Sequence, residues 1–219
     1  MRPFFMLSRS PSSNGFDLTY AIFHRMHPTS IEITSHRKSI SRPETHPIYF
    51  KYLMKFDNQF HPEQIHKSVF IGEGVRIFGN VNINADSSIW FNAVVRGDTE
   101  QIQIGSRTNI QDLSLIHADQ GVPCVIGDDV TVGHSAIVHG ATVESDVMIG
   151  MRATILNGAV IGHGSLIAAG CLVPERCIIP PNSVVMGTPG KIVRQCTDSD
   201  RQRIHSAAKH YVEAARAFR

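Results

Sequence analysis

The stretch VESDVMIGMRATILNGAVIGHGSLIAAGCLVPERCIIPPNSVV, residues 143–185, decides the fold of this chain. Within it an aliphatic residue returns at every sixth position, at Val143, Ile149, Ile155, Ile161, Ile167, Val173, Ile179 and Val185. A period of six fits neither an α-helix, which repeats about every 3.6 residues, nor a half-buried strand, which alternates every two. Hexads repeated in this way are typical of a parallel β-helix.

The same period extends toward the N-terminus with three interruptions. The earlier aliphatic positions are Ile71, Ile77, Ile83, Ile89, Val95, Ile104, Ile110, Ile116, Ile126, Val132 and Val138. Three extra residues follow Val95, four extra follow Ile116, and one is missing after Val138. We expect both sets of extra residues, at 96–103 and 117–125, to leave the repeat as loops on the same side.

These observations predict an all-β fold, a left-handed parallel β-helix of hexapeptide repeats with a C-terminal α-helix. Each hexad would form one short strand and its corner, and three hexads would close one triangular coil. Successive coils would stack at a spacing of about 4.8 Å. The aliphatic residue of each hexad, and the small residue four positions later, would point toward the axis. Left-handed winding is an exception to the usual right-handed crossover of parallel strands.

The two ends of the chain differ in character from the repeat. Residues 1–53 are basic, rich in serine and poor in acidic residues, and we predict an irregular or disordered extension there. A start of translation at Met54 fits the same composition, and either interpretation favours a cytoplasmic protein. The alternative is a transit peptide, which would make the protein mitochondrial. We assign residues 54–196 to the β-helix and 197–219 to a terminal helix packed on its own chain or on a neighbouring subunit.

Composition excludes several classes of protein. The net charge is +2, and the basic residues form no stripe with interleaved aromatics, which argues against a nucleic-acid partner. No run of eighteen apolar residues is present, so no membrane span is expected. The four cysteines show no C-x-x-C pairing and are predicted to be small core residues in a reducing compartment.

The repeat also predicts which polar side chains stack. Because three hexads make one coil, residues at the same hexad position three hexads apart lie above one another on one face. Arg96, His117 and His139 form one such column, and it faces outward because position two points away from the axis.

A second column lies on a different face. His134 stands above Asp112 there, with Gln111 beside it. Three imidazoles with an open fourth position are the ligand set of a hydrolytic zinc site. Since a prism cannot bring two of its own faces together, we predict a homotrimer whose three metal sites each join two faces of adjacent subunits.

Four segments together resemble the γ-class carbonic anhydrase family: SIWFNAVVRGD at 88–98, TNIQD at 108–112, His117, and VGHSAIVHG at 132–140. The resemblance covers roughly residues 65–195. It implies that His117, His134 and His139 bind Zn²⁺, with Fe²⁺ or Co²⁺ as alternatives. It also implies reversible hydration of CO₂ to bicarbonate by a metal-bound hydroxide.

Six further residues are predicted to have supporting roles, and the resemblance implies those of all but Tyr211. Arg96 and Asp98 would form an ion pair at the subunit interface, and Gln111 would orient the metal-bound hydroxide. Asp112 would position Arg96 or a ligand. Asn109 and Tyr211 are assigned to the pocket or its support.

The chain departs from the family pattern at the residues that transfer protons. Thr99 occupies the position of a glutamate that serves proton transfer in archetypal members, and strand alternation would aim the adjacent Glu100 elsewhere. The acidic loop that follows the first ligand is short here, residues 118–124, with Asp119 as its only acidic member. Because proton removal limits fast hydration, these departures predict slow or absent turnover.

Two other functions fit the same repeat. The GTPGK run at 187–191 resembles the end of hexapeptide acyltransferases, and a metal-dependent thioesterase is a nearer variant. An acyltransferase needs one histidine as base, not three at ligand spacing. The other alternative is a trimer without catalytic activity, in which zinc only clamps the subunits.

Overall fold

Short parallel strands wind around three faces, and they form a left-handed β-helix of about six coils followed by one helix. The computed structural model describes residues 56–218, so the predictions for residues 1–53 lie outside it. A 3-10 helix, Pro62–Gln64, precedes the first coil.

Each face is a ladder of strands from successive coils. Face 1 consists of Phe70–Ile71, Ser88–Ile89, Asn109–Ile110, Thr131–Val132, Met148–Ile149, Leu166–Ile167 and Ser183–Met186. Two long strands, Arg76–Ile83 and Val94–Ile104, begin on face 2 and end on face 3. Face 2 continues with Leu115–His117, Ile137–His139, Thr154–Ile155 and Leu172–Val173. Face 3 continues with Cys124–Ile126, Thr142–Val143, Val160–Ile161 and Ile178–Ile179. Lys191–Gln195 pairs antiparallel with the last strand of face 1.

The interruptions in the repeat are absorbed in different ways. The missing residue leaves the register intact, because Val143 pairs with Ile126 below it and Ile161 above it. The expected loop at 96–103 is wrong, since this segment stays extended within Val94–Ile104 and pairs with the previous coil. The extra residues fit because the pairing shifts register between Gly79 and Val81. The second interruption does form a loop, closed by an antiparallel bridge between Asp119 and Val122.

The core follows the hexad pattern. The central aliphatic residues, such as Ile110 and Val132, are fully buried, as are the small residues four positions after them, Ser114 and Ala136. Ile71 is 41% exposed because it lies in the first coil, with a strand on only one side. Each fully buried isoleucine contributes about 1.5–3 kcal/mol of hydrophobic stabilisation.

Close stacking explains the glycines that directly follow many aliphatic residues. A Cβ added to Gly105 would lie 2.4 Å from the carbonyl carbon of Gly127 in the next coil. No side chain can be accommodated at that distance. These glycines therefore let the coils approach to hydrogen-bonding distance.

The terminal helix, Asp198–Ala217, packs on face 1 of its own chain. It begins with a capping box in which Thr197 and Asp200 each accept the other's backbone N–H. Ile204 packs with Leu166 and Val184, and Ala215 packs farther along the helix among aromatic residues. Of the two packing modes that the apolar stripe allowed, the structure shows the one on its own chain. Among residues 56–218, no helix is both long and apolar enough to cross a bilayer.

The four cysteines are free, as their spacing predicted. Cys124, Cys171 and Cys196 are buried, and Cys177 is half-buried against the core. Burial raises the pKa of the Cys124 thiol to about 12. They act as small core side chains.

Candidate metal centre

The column predicted on face 2 is present in the backbone register. Arg96 pairs with His117, and His117 pairs with His139, on three successive coils. The two imidazole rings meet edge to face, and Nδ1 of His117 lies 2.9 Å from Nε2 of His139. The hexad period therefore brings these two rings together.

His117 is buried although its column faces outward. Asp98 and Thr99, on the extended segment that follows Arg96, fold beside the ring. Asp98 Oδ1 lies 3.1 Å from Nε2 of His117, while Asp98 Oδ2 accepts a hydrogen bond of 2.7 Å from Arg96. Burial lowers the pKa of His117, and the positive charge of Arg96 acts in the same direction. The ring is therefore neutral near pH 7, which is the form that binds metals.

Asp98 carries the charge that compensates Arg96. Burial alone would raise the pKa of this carboxyl, but hydrogen bonds from Arg96 and His117 outweigh burial and lower it. The ion pair between Arg96 and Asp98 forms within one chain. Its carboxylate therefore holds an arginine and an imidazole at once.

His139 is oriented by a residue that the sequence reasoning missed. Nδ1 of His139 lies 2.6 Å from Oδ1 of Asn157, and Nδ2 of Asn157 donates a 2.8 Å hydrogen bond to Oδ2 of Asp119. Because the carboxylate can only accept, the amide nitrogen must face Asp119 and the amide oxygen must face the histidine. Asn157 therefore links the short loop to the column.

These partners assign the tautomers of both rings. Nε2–H of His117 donates to Asp98, and Nδ1–H of His139 donates to Asn157. The two remaining nitrogens face each other at 2.9 Å, each with a lone pair. Two lone pairs at that distance repel unless a proton or a cation lies against them. The donor set of this structure therefore fits a metal ion that accepts imidazole nitrogen, such as Zn²⁺, Co²⁺ or Fe²⁺.

The second predicted column is also formed. Nδ1 of His134 lies 2.7 Å from Oδ2 of Asp112, so its proton faces the carboxylate and Nε2 keeps a lone pair. The side chain of His134 is 44% exposed. Oε1 of the buried Gln111 accepts a hydrogen bond from the backbone N–H of His134, and its Nε2 donates to Asn109. Gln111 and Asn109 thus support the backbone under His134.

Tyr211 approaches this second column from the terminal helix. Its ring lies edge-on to Trp90 at 5.2 Å, and Trp90 itself donates a hydrogen bond to Ser88. Burial, and then the charge of Asp112, raises the pKa of Tyr211. Tyr211 therefore supports the surroundings of Asp112, and Trp90 serves packing.

Within residues 56–218, only His117, Asp119 and His139 form a group of three possible metal-binding side chains. Their donor atoms all lie within 4.8 Å of one another, and His134 is not among them. In the sequence, Asp119 stands out only as the sole acidic residue of a short loop. Its two-residue distance from His117 was the available signal, but its position depends on how the loop closes.

Thr99 and Glu100, at the positions where the family resemblance expects proton transfer, are both bonded to the backbone. The Thr99 hydroxyl donates a 2.6 Å hydrogen bond to the carbonyl of Ala118. Both carboxylate oxygens of Glu100 accept backbone N–H groups, one from Gln101 and one from Gly121, and these bonds lower its pKa. Glu100 therefore anchors the loop and does not face the histidines.

Comparison with known proteins agrees with this architecture. The model of the bacterial transferase hexapeptide family (six repeats) matches residues 140–175. A carbonic anhydrase of Geobacillus kaustophilus is 49% identical over 156 residues, which cover 71% of this chain and 86% of the relative. The chain belongs to the γ-carbonic anhydrase-like family.

Two further proteins are similar to this chain. The mitochondrial gamma carbonic anhydrase 2 of Arabidopsis thaliana is 42% identical over 157 residues, which cover 69% of this chain and 56% of that protein. A crystal structure of a hexapeptide transferase family protein from Anaplasma phagocytophilum superposes with a TM-score of 0.69 at 34% identity, covering 71% of this chain and 92% of that one. The γ-carbonic anhydrase-like family thus shares its scaffold with proteins named as transferases.

Proposed function

We propose that this γ-carbonic anhydrase-like protein reversibly hydrates CO₂ to bicarbonate at a metal site shared between subunits of a homotrimer. His117 and His139 of one chain would bind the metal together with His134 of a second copy. The observation that carries the proposal is common to all three rings: one nitrogen is held by an oxygen acceptor, which leaves the lone pair on the other nitrogen. Metal-binding histidines are characteristically held in this way.

The exposure of His134 supports a shared site. His134 stands on a different column from the other two rings and is not among the donors that converge within one chain. Its free nitrogen belongs to a half-exposed side chain. A threefold assembly can set this corner of one subunit against the His117 column of the next.

The residues of the chain prepare this site for a divalent metal. The metal supplies Lewis acidity, which brings the pKa of a water molecule to about 7. Asp98, Asn157 and Asp112 hold the three rings in the tautomers that bind metals. Arg96 balances the charge of Asp98, and the buried Gln111 fixes the backbone of His134.

Proton removal is the step for which the chain is least equipped. Thr99 bonds to a backbone carbonyl, and Glu100 is occupied by two backbone N–H groups. Neither side chain is placed to carry a proton from the histidine column to solvent. We therefore expect hydration that is slow and that increases with the concentration of an added buffer.

Mixing two inactive variants tests the sharing. His117→Ala and His134→Ala homotrimers should each lose hydration activity, whereas trimers reassembled from both should regain some intact sites and part of the activity. Metal content and stopped-flow CO₂ hydration on zinc-loaded and iron-loaded protein are the measurements. A reassembled mixture with no regained hydration activity would refute the shared site. A His117→Ala variant identical to wild type would refute the metal site altogether.

A transferase activity is the second candidate, supported by the structural likeness to the Anaplasma protein. Its test is acetyl-CoA binding to the metal-free chain, measured by calorimetry. Binding without any requirement for His134 would favour an acyltransferase, and hydrolysis of acyl-CoA that requires metal would favour a thioesterase. Loss of the trimer on chelation, together with no hydration by loaded protein, would favour a purely structural metal.

We propose a cytoplasmic location, with mitochondria as the alternative suggested by the Arabidopsis relative. The residues that would decide between them lie outside the described part of the chain. Sequencing the N-terminus of the native protein distinguishes the two. A mature start well upstream of Met54 would contradict our preference for a start there.

A further inference from the structure

The short loop after the first histidine places a carboxylate beside the two facing imidazoles. Oδ1 of Asp119 lies 3.9 Å from Nε2 of His139. The donor atoms of His117, Asp119 and His139 are all within 4.8 Å of one another. We infer that Asp119 is a third metal ligand from the same chain, so that one subunit by itself carries a cation site of two histidines and one carboxylate.

The loop holds Asp119 in place by its backbone and by its side chain. A hydrogen bond of 2.9 Å from the N–H of Val122 to the carbonyl of Asp119 closes the turn. Glu100 accepts the N–H of Gly121 and ties the turn to the extended segment beneath it. Oδ2 of Asp119 is bound by Asn157, which leaves Oδ1 as the oxygen nearest His139.

The distances are compatible with ligation after small side-chain movements. Metal bonds to imidazole nitrogen and carboxylate oxygen are about 2.0–2.2 Å, so two ligands of one ion lie about 3–4 Å apart. The separation from His139 to His117 is 2.9 Å, and that from His139 to Asp119 is 3.9 Å. The Asp119 side chain is 55% exposed, so it can turn without displacing core residues.

A carboxylate at this position would also supply negative charge for a cation bound between the facing rings. The two lone pairs attract a cation, but Arg96 beside His117 opposes it and Asp98 is already shared with that arginine. A second carboxylate adjacent to His139 supplies the negative charge that the cation needs. Two histidines and one carboxylate with open positions are the donor set of non-haem Fe²⁺ sites. The ion that this site would bind is therefore a divalent first-row metal, with Fe²⁺ favoured.

This inference rests on the proposed function for the histidine pair, and it adds one ligand to that pair. It predicts that loss of His134 weakens metal binding without abolishing it, because three donors remain in each chain. The site proposed for the trimer alone predicts instead that Asp119 is dispensable. The two ligand sets are therefore separable by substitution.

The experiment measures Co²⁺ binding to the full chain, by calorimetry and by the visible absorption of the bound ion. The variants are Asp119→Asn, His134→Ala and the double variant, with Asp119→Ser as a second replacement in case the first disturbs folding. Asparagine keeps the acceptor for Asn157 and removes the charge. Glu73→Gln is the matched control, because it removes an exposed carboxylate in the first coil that takes no part in the loop or its hydrogen bonds.

We expect His134→Ala to retain Co²⁺, and the added Asp119 substitution to raise its Kd by at least about tenfold with a changed absorption spectrum. Glu73→Gln should leave the Kd unchanged. Equal Co²⁺ affinity of His134→Ala and the double variant would overturn the inference. Loss of binding in His134→Ala alone, with Asp119→Asn unaffected, would overturn it and leave the proposed function standing. If Co²⁺ binding depends on Asp119 but the metal-loaded wild-type protein does not hydrate CO₂, the inference is supported and the proposed function is overturned.

Discussion

Substitution of Asp98 or Asn157, two residues that hold the histidine rings, should lower metal affinity by different factors. Leucine at either position removes the acceptor and keeps the branched shape of the side chain. Asp98→Leu removes a charged acceptor that is only 13% exposed and lies against a buried ring. Hydrogen bonds to charged groups contribute about 1.5–3 kcal/mol, which corresponds to a ten- to hundredfold loss of affinity. It also leaves Arg96 unpaired 3.5 Å from Nδ1 of His117, where its charge repels a cation.

Asn157→Leu removes a neutral acceptor from His139, a ring that water already reaches. A neutral hydrogen bond contributes about 0.5–1.5 kcal/mol, and water can replace part of it, so we expect a two- to tenfold loss. The assay is competition for Zn²⁺ with a colorimetric chelator at pH 7.5, and Asn82→Leu on face 3 is the control. An equal or larger effect at Asn157, or no effect at either position, would refute the tautomer assignment.

Three further predictions concern the scaffold. Ile116→Ala should lower the free energy of unfolding by about 2–5 kcal/mol, because the Ile116 side chain is fully buried. Ile192 is 48% exposed, so Ile192→Ala should change it by less than about 0.5 kcal/mol. Denaturant titration measures both, and equal effects would contradict the packing. Hydrogen bonds from Arg194 and Thr197 lower the pKa of Asp200, so its contribution to stability is present above pH 3.8 and is lost as pH falls toward its folded pKa. The thermal midpoint of Asp200→Asn should therefore lie below wild type at pH 7, with a difference that shrinks below pH 3.8; a constant difference would contradict this. Cys124, buried with a pKa of about 12, should resist iodoacetamide at pH 8 in the native protein and react after unfolding, as mass spectrometry would detect.

Much of the candidate centre could be predicted from spacing, because a coil is built from a constant number of hexads. The pairing of His117 with His139 follows from counting three hexads, and so does the position of His134 above Asp112. The hexad count also predicts the correct strand partners beyond the missing residue after Val138, because strand pairing keeps the register of each face. It failed at residues 96–103, where extra residues can bulge within a strand as readily as leave it.

The hexad pattern by itself determined the β-helix, its three faces and the two histidine columns, because these depend on a local period and on which side chains point outward. Only the tertiary structure decided which residues meet where the period is broken. Asp119 and Asn157 bond across 38 positions of sequence, and this contact depends on how the loop closes over the next coil. The docking of the terminal helix on its own face 1 is a choice of the same kind, since an apolar stripe specifies that a helix is covered and not which surface covers it.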